Sequence, residues 1–200
     1  MLHWLDPAFL VATFGLFGVF AIVFAESGLF FGFFLPGDSL LFTAGFLASA
    51  AAADFNIWLL AGGAAAAAIL GDSVGYWLGA RFGRPLFERP DSRWFRREYV
   101  TRTEVFYARH GKKTIILARF VPIVRTFAPV LAGVGRMNYR IFLSYNLIGG
   151  LIWGAGVPLL GYFLGRTIPG VDRFLLPIII LIILTSFLPA LPHFFTGRKK

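Results

Sequence analysis

Five ionisable residues, Glu26, Asp38, Asp72, Arg119 and Arg125, stand inside or beside long apolar stretches of this 200-residue chain. On insertion scales an Asp or Arg at the centre of a membrane helix costs about 2.5 to 3.5 kcal/mol, so such groups pair with one another or face a wet cavity. Arg119 and Arg125 are six residues apart. On an unbroken helix that spacing is about 600°, which leaves the two side chains about 240° apart around the axis. A break at Pro122, between them, lets both turn toward one place. Two converging guanidiniums grip a phosphate or a carboxylate in a low-dielectric site. A carboxylate beside them feels two opposed influences, since desolvation favours the neutral acid and a guanidinium favours the anion. Glu26 and Asp38 are therefore candidates for taking up and releasing a proton. Asp72 is either a third proton carrier or a hydrogen-bonding group to a neighbouring helix. The alternative for the whole set is a static group of ion pairs that locks the chain together.

The elements that hold these residues are apolar. Hydrophobic residues make up 58% of the chain and charged residues 14%, against roughly 25% charged in soluble proteins. Lipid-compatible stretches cover 8–25, 27–53 (broken at Pro36-Gly37), 57–80, 114–135 (broken at Pro122), 141–165 and 174–195. MLHWLD has no basic n-region and no small-residue cleavage site follows, so the first stretch is read as retained rather than as a signal peptide. From Glu26 to Pro36 is roughly 15 Å as helix, and from Thr114 to Pro122 roughly 12 Å. Each is near half of a ~30 Å hydrocarbon core. Both breaks carry a similar string, Phe34-Leu35-Pro36 and Phe120-Val121-Pro122. Two Pro-interrupted apolar segments in corresponding places point to an inverted-repeat transporter with a midplane site. In the plainer alternative, Pro36 and Pro122 only kink continuous spans.

Charge distribution sets the orientation. Residues 1–80 hold five acids and no Lys or Arg, while residues 81–200 hold all nineteen basic residues and the other five acids. Ten of the basic residues lie in 81–113, and the chain ends Arg198, Lys199, Lys200. Lys and Arg near span ends mark the cytoplasmic side. If 114–135 enters from the cytoplasm and turns back, Arg136, Arg140 and the C-terminus all fall inside, and only Arg166 and Arg173 fall outside.

The expected fold is therefore an all-α integral membrane protein with transmembrane helices and two opposed re-entrant hairpins in an inverted-repeat arrangement. Residues 1–200 form one membrane domain. Residues 1–80 hold the first transmembrane helix, an external re-entrant hairpin and the second transmembrane helix. An amphipathic cytoplasmic segment at 81–113 rests on anionic lipids, its Phe95, Tyr99 and Phe106 sharing one face beside Arg96, Arg97 and Arg102. A cytoplasmic-side hairpin occupies 114–135, and transmembrane helices occupy 141–165 and 174–195. Gly71, Gly75, Gly79 and Gly83 recur every four residues, as do Gly150 with Gly154 and Gly161 with Gly165, and are expected to seat neighbouring helices.

Several chemistries are excluded. There is no cysteine, hence no disulfide or thiolate site. His3, His110 and His193 lie near ends or boundaries, so no intramembrane Ser/His pair or His-rich metal site is assembled. No GxxxxGK cradle is present. The basic residues flank apolar spans instead of forming one soluble basic face, which argues against nucleic acid. No metal or other cofactor is called for.

Glu26 followed by Phe34-Leu35-Pro36-Gly37-Asp38, Gly71-Asp72 with Gly75-Tyr76 and Gly79, Arg119-Phe120-Val121-Pro122-Ile123-Val124-Arg125, and Gly133 followed by Met137, Phe142 and Asn146 resemble the DedA family of bacterial membrane proteins. That family shares its core with the lipid scramblases of autophagy, and the likeness spans roughly residues 20–165. The resemblance implies opposed re-entrant hairpins, essential acids at Glu26 and Asp38, and essential arginines at Arg119 and Arg125. It also implies a lipid cargo. Some members return undecaprenyl phosphate across the cytoplasmic membrane, and others are linked to phosphatidylethanolamine or to proton-dependent homeostasis.

The leading expectation is a lipid translocase in the bacterial cytoplasmic membrane, with Arg119 and Arg125 on the phosphate and Glu26, Asp38 and Asp72 in proton coupling. Its partners are the lipid, anionic membrane lipids and a further copy in a homo-oligomer. A phospholipid scramblase, a proton-coupled ion or drug antiporter and a lipid phosphatase are the rivals, with a non-enzyme preferred.

Overall fold

A computed structural model describes residues 7–29, 35–49, 56–83, 115, 119 and 122–167. The segment 84–113, the 174–195 stretch, Asp54, the three histidines and the C-terminal Arg-Lys-Lys lie outside the described residues. Within them every regular element is helical. In chain order these are α1 (Pro7–Gly28), α2 (Gly37–Ser49), α3 (Ile57–Leu78), α4 (Pro122–Val134), α5 (Tyr139–Gly150) and α6 (Gly156–Thr167). A π-helical turn, Gly79–Gly83, extends α3, and another, Leu151–Ala155, joins α5 to α6.

Among the described residues, three helical units are long and apolar enough to cross a membrane: Pro7–Gly28, Ile57–Gly83 and Tyr139–Thr167. At about 1.5 Å per residue the shortest, with 22 residues, measures roughly 33 Å, enough for a ~30 Å core. They match the expected spans 8–25, 57–80 and 141–165. Their outward faces are apolar, with Phe17 84% exposed and Trp58 68% exposed, which suits lipid as the surrounding solvent. The interior is where polar groups collect: Glu26, Asp72, Arg119, Arg125, Thr126 and Asn146 are all buried.

Two local features depart from the sequence reading. Helix α1 is not straight, because Gly15 has φ 57° and ψ −157°. With no Cβ to clash, glycine enters that region readily. Glu26 is not the start of a half-helix running to Pro36. It lies in the last turn of α1, which ends at Gly28, and Leu29 is already a bend. Helix α2 begins afresh at Gly37, where Ser39 Oγ donates to the Pro36 carbonyl at 3.0 Å. Likewise Arg119 occupies a turn, and α4 begins at Pro122. Proline suits a first helical position because its missing N–H has no intrahelical partner to lose. Asparagines start α3 and α5: Asn56 Oδ1 accepts from Trp58 N at 2.8 Å, and Asn138 Oδ1 from Arg140 N at 3.0 Å.

Helix α3 is the central post, packed on α1, α4, α5 and the second π-turn, while α2 lies along α6. The glycines permit this. A Cβ at Gly71 would come within 2.6 Å of the Phe24 carbonyl oxygen of α1, and one at Gly28 within 2.7 Å of the Gly71 carbonyl oxygen. Further along the same ridge Gly79 meets the Val130 backbone of α4, and Gly161 of α6 meets the Phe42 backbone of α2. The four-residue glycine spacing is thus a packing device, as expected. Tyr76 closes the α3 end by donating to the Met137 carbonyl and stacking on Phe142 with ring centroids 4.8 Å apart.

Candidate functional site

Arg125, the fourth residue of α4, is 2% exposed and collects partners from three other elements. Its Nη1 donates to Asp38 Oδ1 of α2 at 2.9 Å, and its Nη2 donates to Glu26 Oε1 at the end of α1. The guanidinium also lies over the Trp153 ring, 4.3 Å from its centroid. Trp153 Nε1 in turn donates to Asp38 Oδ1 at 2.6 Å. One side chain therefore ties α1, α2, α4 and the second π-turn together. The Asp38 side chain is 22% exposed, against 4% for Glu26 and 1% for Arg125, so Asp38 is the accessible edge of this cluster.

Arg119 makes a second cluster. Its Nη2 donates to Asp72 Oδ2 of α3 and to Asn146 Oδ1 of α5. Asn146 Nδ2 donates to the Ile69 carbonyl of α3 at 3.0 Å and lies 3.4 Å from Ser73 Oγ. The clusters are neighbours, close enough that the Asp72 carboxylate acts electrostatically on Arg125 as well as on Arg119.

Both arginines are brought inside with carboxylates, but not in the expected arrangement. The five predicted residues divide into Arg125 with Glu26 and Asp38, and Arg119 with Asp72. The two guanidiniums, expected to turn toward one place, bond to different acids. Residues 119 and 125 project from a turn and from a helix respectively, so they present to different neighbours. Pro36 and Pro122 stand where α2 and α4 begin, and Gly37 contributes directly. A Cβ at residue 37 would fall on Glu26 Oε2, so glycine leaves the space that the carboxylate fills.

Trp153 and Asn146 were not singled out for the site. A buried amide on an apolar helix was a usable signal for Asn146, which stood only among the family-like residues. Nothing in the sequence separates the buried Trp153 from the lipid-facing Trp58 and Trp77. Among the described residues, no group of three His, Cys, Asp or Glu is placed to hold a metal ion.

Gly37→Ala tests the packing of Glu26. The added methyl should push the carboxylate off Arg125 and lower stability by about 1–3 kcal/mol, the usual cost of overpacking. Thermal unfolding in detergent measures it. A variant as stable as wild type would show that Glu26 has room elsewhere.

Lipid-facing apolar helices around a buried, ion-paired interior define a helical membrane protein with a charged internal site. A VTT domain matches residues 35–163. The chain belongs to the DedA family: it is 51% identical to Protein DedA of Escherichia coli K12 over 183 residues, covering 90% of this chain and 83% of that one. It is also 48% identical to an uncharacterized membrane protein of Mycobacterium tuberculosis H37Rv over 193 residues, covering 94% and 84%. A third relative, from Mycobacterium leprae, is 46% identical over 202 residues, covering 98% and 89%. No solved structure matches the chain.

Proposed function

We propose that this protein moves a phosphate-bearing lipid, undecaprenyl phosphate being the leading case, between membrane leaflets. The headgroup enters the buried ionic site that holds Arg119 and Arg125, the acyl or prenyl tail stays in the bilayer, and a proton is exchanged on Glu26, Asp38 or Asp72. The observation that carries this reading is the meeting of the first turns of α2 and α4 at the Asp38–Arg125 hydrogen bond. Both helices have 13 residues, roughly 20 Å at about 1.5 Å per residue, too short to cross a ~30 Å core. Short helices that start at a buried ionic site support two opposed re-entrant hairpins in an inverted-repeat arrangement. Their N-terminal N–H groups add to the positive field that favours an anion.

The proposed setting is the bacterial cytoplasmic membrane, with several crossings and a cytoplasmic C-terminus. The basic segment after α3 rests on anionic lipids, and copies of the chain associate as a homo-oligomer. Chemical conversion of the lipid is not part of the reading.

Proteoliposomes carrying undecaprenyl phosphate in one leaflet provide the test. Wild type is expected to redistribute the lipid, and Arg119→Ala and Arg125→Ala are expected to fail. No protein-dependent redistribution, with or without a pH gradient, would sink the proposal for that lipid. Proton flux driven by a soluble cation, without lipid phosphate, would replace it with an antiporter. Release of inorganic phosphate from undecaprenyl pyrophosphate would make the protein a phosphatase.

A further inference from the structure

The two buried arginines have unequal bonding capacity. Both terminal nitrogens of Arg125 already carry carboxylates, only its Nε has no partner, and its guanidinium lies over Trp153. One guanidinium between two carboxylates leaves that cluster with an excess of negative charge when ionised, which opposes a second anion. Arg119 uses only Nη2, while its Nε and Nη1 have no hydrogen-bond partner, although the residue is 2% exposed. Its carboxylate partner is also incomplete, because Asp72 Oδ1 is buried and unpartnered, as is Glu26 Oε2 beside Arg125. Buried groups of this kind are costly to leave unpaired, and each calls for a missing partner.

An arginine Nε carries one N–H and an Nη carries two. The Arg119–Asp72 pair thus offers three donors and, at Asp72 Oδ1, one acceptor. A phosphate monoester carrying one proton is the complement: two or three oxygens that accept, and one P–O–H that donates. A phosphodiester has the accepting oxygens but no hydroxyl for Asp72.

Resting on the lipid-phosphate reading above, we infer that Arg119 with Asp72 is the headgroup-reading subsite, selective for phosphate monoesters over diesters. Arg125, with Glu26, Asp38 and Trp153, is the clamp that joins the helices around it. Arg119 receives the anion without breaking its bond to Asp72, because the free nitrogens are not those in use. Asn146, held on the Ile69 carbonyl, keeps Nη2 occupied and fixes which nitrogens remain open.

The test is equilibrium binding to the purified full-length protein in detergent, with decyl phosphate as the monoester, decyl methyl phosphate as the diester, decanol as the tail alone and inorganic phosphate as the free anion. Wild type is expected to bind decyl phosphate at least about tenfold more tightly than the diester, the scale of one buried unpaired acceptor. Inorganic phosphate is expected to compete weakly and decanol not at all; competition as strong as decyl phosphate assigns the subsite to free phosphate and overturns the lipid reading. The double variant Asp72→Asn/Arg119→Gln removes both charges together, leaves no stranded ion, and should lose the monoester preference. Its loss of decyl phosphate affinity should exceed that of Arg125→Lys by about tenfold. Equal losses in the two proteins, or no monoester preference in wild type, overturn the assignment alone. Wild type that binds neither ester overturns the lipid-phosphate reading as well.

Discussion

Replacing Arg125 with alanine should abolish movement of lipid between leaflets and lower stability more than any other single change at the site. The substitution leaves Glu26 and Asp38, both partners of one guanidinium, without a counter-ion, and Glu26 is 3% exposed. Removing one partner of a buried ion pair costs about 3–5 kcal/mol, mostly through the stranded charge. Here two like charges are stranded together. The cost also falls on architecture, because Arg125 is the side chain at which α1, α2, α4 and the π-turn meet. Arg125→Lys should be intermediate. An ammonium is a point charge and cannot hold two carboxylates with the fixed fork of a guanidinium. The decisive comparison is Arg125→Ala against the triple variant Glu26→Gln/Asp38→Asn/Arg125→Ala, by thermal unfolding in detergent. The triple variant should regain much of the lost stability while remaining inactive in the leaflet assay. A single variant as stable as wild type would show that these groups are not paired.

Trp153→Ala should be the next most damaging change. Truncating a buried aromatic side chain of this size costs about 3–5 kcal/mol, and Trp153 is 3% exposed. Its indole does two further things: the ring lies under the Arg125 guanidinium, and the N–H donates to Asp38. A desolvated cation–π contact contributes about 2 kcal/mol. Trp153→Phe separates these contributions, since phenylalanine keeps a ring for the guanidinium but has no donor for Asp38. Its loss should be smaller, about 1.5–3 kcal/mol, the usual range for a hydrogen bond to a charged group. The ordering expected in both thermal unfolding and leaflet transfer is wild type, then Trp153→Phe, then Trp153→Ala. If Trp153→Phe proves as damaging as Trp153→Ala, the N–H to Asp38 carries the whole effect and the ring none.

Much of the fold was legible in the sequence. The apolar stretches at 8–25, 57–80 and 141–165 gave three spans because about 20 apolar residues have no better place than a bilayer. The four-residue glycine spacing announced close helix contact, and at Gly71 and Gly79 the backbones of α1 and α4 leave no room for a side chain on α3. Glu26, Asp38, Asp72, Arg119 and Arg125 stood out because ionised groups in such stretches need partners. The ends of α1 and α2 were less legible. Which residues around Pro36 continue a helix depends on what packs against them, and Glu26 finished α1 instead of starting a new arm.

Composition and charge by themselves determined that this chain enters a membrane, that its few embedded charges must neutralise one another, and that these charges mark its internal site. Only the tertiary structure decided the partners. Arg119 went to Asp72, not to Glu26 or Asp38, because α3 and α5 cross beside the turn that carries it, and Asn146 completes that crossing. Trp153 reached Arg125 through the π-turn Leu151–Ala155 in what the sequence presents as one plain apolar helix. A π-turn adds a residue to the turn and so rotates the following face by about 100°. Spacing along a chain fixes which residues must be paired, but the pairing itself depends on where separate helices cross, and that is set by packing among all of them.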